Sequence, residues 1–567
     1  MKSSSYILQV IKKEGIHAVF LVPGGIIDPL LEALSEDREI KTIVAAHEEG
    51  AAFMADGYAR ATGRFGVLFV IGGPGVTNAS SGIATAFADR SPVLVVSGEV
   101  KTEWEGRGSF QDSSSAGIDS THLLQSITSM HLNISHVELL KHHLDRIMRN
   151  MLSHSTRGPV HLTIPTNIQI SEVTFSHKKL PVVLYHPRFV DLDACDQFWK
   201  TVGNSKKVAI LAGTGTLHSG ASQELIAFAE KFEIPVATTL GAKGVIPEDH
   251  RLALGVLGWF GSRHAIETLL SGDVEVLIVI GSRLNMLDTL LWSRTLQPKK
   301  ALILNDINTN SIFRDYSVDL PILGDAKSFL MQLNSASSTH TEQLAETSEE
   351  RKKWLEEIRS TGSFFYHPEN MKSSDHPVHP ARAVSDLRKV MPRDTVVFAD
   401  SGAHGFFAAH FWISYAPRQF FSSVKYMGCM GWAIGAAVGA KVARPDLPCV
   451  VITGDGCMLM NGIEVQTAAR YNLPVIFVVI NNSALGNPKL RADKISPEMT
   501  KLHELPTHDW AQFAESLGAV GFTVKDPEDL IPVYQKALAA NKTVVIDIIC
   551  GNYATPTETF DAHLGGK

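Results

Sequence analysis

The strongest chemical signal in this chain is a carboxylate, Asp455, and a side-chain amide, Asn482, each set where an apolar run stops. The run VVIT breaks at Gly454-Asp455-Gly456, an amphipathic helical stretch follows, and the run VIFVVI ends at Asn481-Asn482. Parallel strands joined by a right-handed crossover bring their carboxyl ends to one edge of a sheet, so the two side chains are expected side by side there. With the backbone carbonyl of Ala484 they make a set of hard oxygen donors that suits Mg²⁺ or Ca²⁺ and leaves positions for phosphate oxygens. Gly454 and Gly456 let backbone N–H groups approach an anion, and the helix that follows aims its positive end at the same place. Alone, Gly-Asp-Gly also reads as a tight turn after a buried strand. The paired asparagines ending the next strand add the ligand reading.

The elements that must hold such a site recur along the chain. Residues 5–172 alternate β-rich runs (AVFLV, IKTIVAA, GVLFVIGG, PVLVVSG, PVHLTIP) with helical stretches, which predicts a parallel sheet covered on both faces. Pro23-Gly24-Gly25, Gly72-Gly73-Pro74-Gly75 and Ser97-Gly98 fall where these strands end, on the rim where such sheets bind ligands. His47-Glu48-Glu49 stands at the end of the second run, before a helix over 51–61 with small residues on one side. A carboxylate there also has a structural reading, as a charge meeting the helix dipole. The Gly73–Asn78 stretch is not a Walker loop, since no Gly-Lys-Ser/Thr follows.

Residues 171–187 lose periodicity and read as a linker. A second α/β unit spans 188–334 with strands KVAILAG, PVATT, VLIVIGS and ALILND, and its Gly213-Thr214-Gly215 is an incomplete dinucleotide fingerprint. The polar segment 335–379 reads as a surface connection with one helical patch at 348–359 and disorder in parts. A third unit, 380–555, holds TVVFAD, QFFSS, CVVITGD, PVIFVVIN and TVVIDII, with a Gly/Ala-rich helix after Gly428-Cys429-Met430-Gly431. The expected fold class is α/β, with three doubly wound parallel-sheet domains at 1–172, 188–334 and 380–555.

Composition narrows the function classes. The chain has 567 residues, 44% hydrophobic and 20% charged, with a formal charge of −7, as in an ordinary globular protein with no electrostatic footprint for nucleic acid or an anionic membrane. Its five cysteines are odd in number and form no CxxC pair, which predicts buried free thiols in a reducing cytoplasm. The start MKSSSYILQVIKKEG is not expected to be a signal peptide, nor is any stretch long and apolar enough for a transmembrane helix.

Gly-Asp-Gly followed by Asn-Asn after one helix and one strand resembles the magnesium–diphosphate motif of thiamine diphosphate-dependent enzymes, and nearly the whole chain resembles their acetolactate synthase-like branch. The resemblance implies a pyrimidine-binding first domain, a middle domain and a diphosphate-binding third domain, with Asp455, Asn482 and the Ala484 carbonyl holding Mg²⁺. It matches Glu48, by the spacing from His47 to Gly50, to the glutamate beside the N1′ nitrogen of the cofactor's pyrimidine. There a carboxyl in a mostly apolar pocket shares a proton with the ring and leads to loss of the C2 proton.

The resemblance further assigns Gly24, Gly25, Pro74 and Asn78 to the cofactor in the first domain, and Gln111 of Ser109-Phe110-Gln111-Asp112 to the reacting centre. In the third domain it assigns Gly454 and Gly456 to the diphosphate, His404 to a phosphate oxygen, the Gly428 carbonyl to the 4′-amino group, and Met430 to a wedge that bends the cofactor. For the middle domain it implies FAD, with ADP or no ligand as alternatives, near Gly213, 258–261, Arg283 and Asp306. It also implies a homodimer or homotetramer with the cofactor between two subunits.

The implied function is carboligation or decarboxylation of a 2-oxo acid such as pyruvate. Decarboxylation without ligation, another C–C lyase reaction, or a catalytically inactive cofactor-binding regulatory protein are the alternatives. The chain departs from the branch after Asn482. Asn487-Pro488 replaces Met-Val, Pro488 is expected to delay or bend the next helix, and Arg491 stands where a tryptophan is usual, either clamping an anionic acceptor or facing solvent.

Overall fold

The computed structural model of the chain describes residues 1–557. Eighteen strands form three six-stranded sheets, and every recorded strand pair is parallel. The central strands explain this: Val93–Glu99 and Val475–Asn481 are buried at every position, as strands must be when helices cover both faces of a sheet.

The first and third sheets share one strand order, 2-1-3-4-6-5 when counted within each domain, and the middle sheet reads 3-2-1-4-5-6 in reverse of its own sense, with the reversal again next to a first strand. In all three the crevice beyond the strand ends at that reversal is where open α/β sheets bind ligands. In the third domain the reversal lies between Val396–Ala399 and Cys449–Gly454, so Asp400 and Asp455 leave adjacent strands side by side.

The first and third domains join through two helices. Glu48–Thr62 crosses Trp432–Ala443 so closely that a Cβ on Gly57 would lie 2.0 Å from the Ala436 carbonyl oxygen, and one on Gly439 would lie 1.9 Å from that of Met54. The small residues foreseen on the first of these helices thus allow backbone-to-backbone contact, and one hydrophobic core runs through both domains. Asp56 locks the crossing by accepting from Trp432 Nε1 at 2.8 Å and pairing with Arg60 at 2.8 Å.

The middle domain keeps its own core. Segment 335–379, expected as a surface connection, carries the helices Ser338–Glu346 and Ser348–Ser360, whose Leu344, Trp354, Leu355 and Ile358 enter that core. Arg351, fully buried, fastens them by donating to the backbone oxygens of Phe232 and Ser205. The reason lies in the spacing of those four apolar residues, a sparse stripe in an otherwise polar stretch.

Candidate functional site

The third domain builds a cavity of about 760 Å³ over its topological switch point. On its wall lie His404, Gly428, Met430, Gly454, Asp455, Gly456, Asn482 and Ala484, the whole third-domain set expected from the sequence. Asp455 begins the helix Asp455–Asn461 and is 3% exposed. Its carboxylate accepts from Gly456 N at 3.0 Å and from Ala484 N at 3.0 Å, which ties the two strand ends together. Burial pushes its pKa up to about 6 against the backbone N–H groups that donate to it.

Asn482 spends its amide nitrogen on Asn552 at 3.2 Å, so the amide oxygen is the atom suited to a metal. Ala484 pairs with Glu504 through bonds of Leu485 N and Ser483 O, which do not use its own carbonyl. One carboxylate, one amide oxygen and one backbone carbonyl fit a hard divalent cation that keeps other ligands, and among the described residues no cluster of three or more His, Cys, Asp or Glu competes with them.

The glycines are required by close approach. A Cβ on Gly454 would lie 2.6 Å from His404 Nδ1, and one on Gly456 would meet Leu485 Cδ2 at 2.7 Å and Met430 Cε at 2.9 Å. Burial pushes the His404 pKa down to about 3, so the ring is neutral and has one N–H to donate.

Sequence reasoning passed over Asp400. This buried carboxylate accepts from Gly431 N at 3.1 Å and Thr453 Oγ1 at 3.0 Å, fixing the loop that carries Met430 to the strand that ends at Gly454. Its signal was an acid closing the apolar run VVFA.

The first-domain residues gather elsewhere. Glu48, 8% exposed, is the first residue of its helix, and its Oε2 accepts from Asn78 Nδ2 at 3.0 Å. Asn78 is thus one polar partner beside a carboxyl expected in a mostly apolar pocket. Glu49 accepts from Asn461 of the third domain at 3.1 Å, so the two adjacent acids have different partners. Pro74 opens the helix Pro74–Ala88 that carries Asn78, and Gly24 and Gly25 lead into the turn Gly25–Ile27. Gln111 lies in the loop before the helix Ser120–Leu124 with φ at 61°, beside the largely exposed Phe110. None of these residues lines the Asp455 cavity.

A second cavity, of about 230 Å³, lies where the middle domain meets the first and third. Arg283 and Asp306 are on its wall with Arg157 and His218, but Gly213 is not: its N–H goes to Ile280 O at 2.8 Å, and Thr214 and Gly215 face the space. Trp259 and Phe260, expected at this cavity, line the Asp455 cavity instead. Arg157 Nε is buried without a hydrogen-bond partner among the described residues, a cationic group suited to an anion.

The helix after Asn482 spans Gly486–Ala492 without delay, because Pro488 falls in its first turn, where no N–H is needed. It sets Asn487, Pro488 and Arg491 on the cavity wall, so Arg491 is not simply a solvent-facing side chain.

Comparison with known proteins bears directly on this arrangement. Residues 1–120, 195–333 and 400–548 match, in that order, the thiamine pyrophosphate enzyme N-terminal TPP binding domain, central domain and C-terminal TPP binding domain. The probable acetolactate synthase large subunit of Methanocaldococcus jannaschii is 33% identical over 97% of this chain and 92% of its own length. The chain belongs to the acetolactate synthase-like thiamine diphosphate enzymes. The acetolactate synthase large subunit of Corynebacterium glutamicum is 31% identical over 98% of this chain and 87% of its own, and the isozyme 3 large subunit of Escherichia coli 30% over 97% and 94%.

As a thiamine diphosphate enzyme the chain carries its two TPP-binding domains on sheets of identical strand order. Among the described residues no helix is long and apolar enough to cross a membrane, and all five cysteines are free.

Proposed function

We propose that this enzyme is a thiamine diphosphate- and Mg²⁺-dependent carboligase that decarboxylates a 2-oxo acid such as pyruvate and joins the remaining carbon unit to a second carbonyl compound. The observation that carries the reading is the convergence of Asp455, Asn482, Ala484, His404, Gly428 and Met430 on one cavity. Bound thiamine diphosphate supplies the electron sink that makes loss of CO₂ and attack on a second carbonyl feasible.

The chain's own residues do the rest. Asp455, with the Asn482 and Ala484 oxygens, would hold the cation, and neutral His404 would donate a hydrogen bond to a phosphate oxygen. The backbone at Gly454 and Gly456 would give the anion room, the Gly428 carbonyl would accept from the amino group, and Met430 would pack against the bound cofactor. Glu48 holds a proton at the pyrimidine nitrogen, in a position that its hydrogen bond from Asn78 fixes. Gln111 meets the substrate's carbonyl or carboxylate, and Gly24, Gly25 and Pro74 leave space for the ring.

Because Glu48 is not on the wall of the Asp455 cavity of its own chain, a complete site takes Glu48 from one copy and Asp455 from another, in a homodimer or homotetramer. For the middle cavity we infer FAD, supported by the parallel sheet whose order reverses beside it, by Arg157 and Arg283, and by Asp306 at the end of its strand. Five free thiols suit the cytoplasm.

The departure of Asn487 and Arg491, both on the cavity wall, from the residues usual in the branch leaves one second reading, decarboxylation without ligation. Incubation with thiamine diphosphate, Mg²⁺ and a panel of 2-oxo acids, followed by mass spectrometry, separates the two: a branched hydroxy-oxo acid supports ligation, and an aldehyde alone supports the second reading.

A further inference from the structure

Glu464 opens the helix Glu464–Arg470, shortly after the helix that Asp455 begins, and it is fully buried. Thr467 Oγ1 of its own helix donates to Oε2 at 2.5 Å, and its other partners lie in the first domain, in the dipeptide immediately before Glu48. Oε2 accepts from Ala46 N at 3.1 Å and Oε1 from His47 N at 3.1 Å. The carboxylate also occupies the place where a side chain at residue 50 would begin: a Cβ on Gly50 would lie 2.0 Å from Oε1.

Two neighbours extend the grip. Val44 N donates to the Tyr471 hydroxyl at 2.9 Å, and Asn461 Nδ2 donates to Glu49 Oε2 at 3.1 Å. Residues 44, 46, 47 and 49 are thus held from one third-domain stretch, 461–471, which comes just after the metal-clamp turn. Glu48 lies inside the bracketed segment.

A buried carboxylate is an expensive way to join two domains. Desolvation opposes its charged form, and burial accordingly pushes the Glu464 pKa up against the hydrogen bonds that pull it down. An apolar residue would bury as well, but it offers no acceptor, whereas a carboxylate gives each N–H donor an oxygen of its own. Those two bonds fix the backbone that enters Glu48, at His47 φ −146° and ψ 150°.

We propose that Glu464 is a positioning residue for Glu48, holding the Ala46–His47 backbone so that the Glu48 carboxyl meets the pyrimidine ring at a fixed place. This rests on the assignment of Glu48 to the pyrimidine nitrogen. Since that Glu48 completes the site of another copy, the stretch 455–471 ties the metal clamp of one site to the proton-sharing group of the next.

The test compares Glu464→Gln, which turns one acceptor oxygen into an N–H₂ donor, with the wild type and Glu48→Gln. In the cofactor-free protein, amide hydrogen exchange of the peptide over 44–52 should lose at least tenfold protection while the rest of the chain keeps its own. In the loaded enzyme, C2 proton exchange of bound thiamine diphosphate should slow at least tenfold, with the melting temperature nearly unchanged. Should Glu464→Gln not fold, Glu464→Asp, which keeps both acceptors on a shorter arm, is read in the same way. Unchanged protection over 44–52, or a lowered melting temperature with unchanged C2 exchange, would overturn the proposal. C2 exchange that survives Glu48→Gln would instead defeat the underlying assignment of Glu48.

Discussion

Asn78 donates its side-chain amide to Oε2 of Glu48 at 3.0 Å, while Glu49, next in the chain, accepts from Asn461 of the third domain. The sequence offers two adjacent acids of the same type, and their hydrogen bonds give them different work. One stays within the first domain's rim, and the other fastens that rim to its neighbour.

Glu48→Gln keeps the size of the side chain and removes its capacity to hold and return a proton. The variant is expected to bind thiamine diphosphate and Mg²⁺, yet C2 proton exchange, followed by NMR after acid quench, should slow by about 10²- to 10⁴-fold. Asn78→Ala should slow it less, since the carboxyl stays and only its orientation loosens.

Asp455→Ala removes the one carboxylate of the metal clamp. Gel filtration after incubation with cofactor and Mg²⁺ should recover the wild type loaded and the variant empty. Chelation should empty the wild type, and added Mg²⁺ should restore it but not the variant. Retention by the variant would move the cation elsewhere.

His410 gives the fold an acid limit. Its Nδ1 donates to Gly261 O at 2.9 Å while its Nε2 accepts from Tyr366 N at 3.0 Å, so the ring must be neutral, and burial pushes its pKa down to about 4. Protonation would set two N–H groups against each other. With the folded pKa below the unfolded value, the stabilisation is complete above about pH 6.5 and is lost as pH falls from there towards 4, by up to about 1.4 kcal/mol per pH unit. Denaturant titrations at pH 7 and pH 5 check this, and His410→Leu should flatten the slope in that window.

The central strands and the third-domain site were legible because both obey short-range rules. A strand buried on both faces must be a continuous apolar run, and a crossover must return to the same edge, so Asp455 and Asn482 could be placed together. The strands that escaped notice are Met130–Asn133, Ala253–Val256, Leu320–Leu323 and Val520–Val524, and each lies at the edge of its sheet. An edge strand has one neighbour and can leave part of itself open to solvent. In MHLN three positions are half-buried, one is exposed, and no apolar run marks the strand. The roles of Asp400 and Glu464 were illegible for another reason. Their partners, Gly431 and Ala46–His47, are distant in sequence, and a lone acid in an apolar stretch does not announce what it will bond to.

The middle domain yields a prediction that needs only a spectrometer. The purified protein should show flavin absorption that persists through dialysis, and Arg157→Met should weaken retention of the chromophore, because the anion would lose the buried Arg157 Nε as its partner. A colourless protein that binds ADP by calorimetry would assign the cavity to a nucleotide without flavin.

Carbon balance tests the central claim most directly. With thiamine diphosphate, Mg²⁺ and pyruvate as sole substrate, the count of pyruvate consumed against CO₂ released reports whether the carbon left after decarboxylation is captured by a second carbonyl. Two pyruvates consumed for each CO₂ released, with one acetolactate formed, are expected. One pyruvate for each CO₂, with acetaldehyde as product, would contradict that claim.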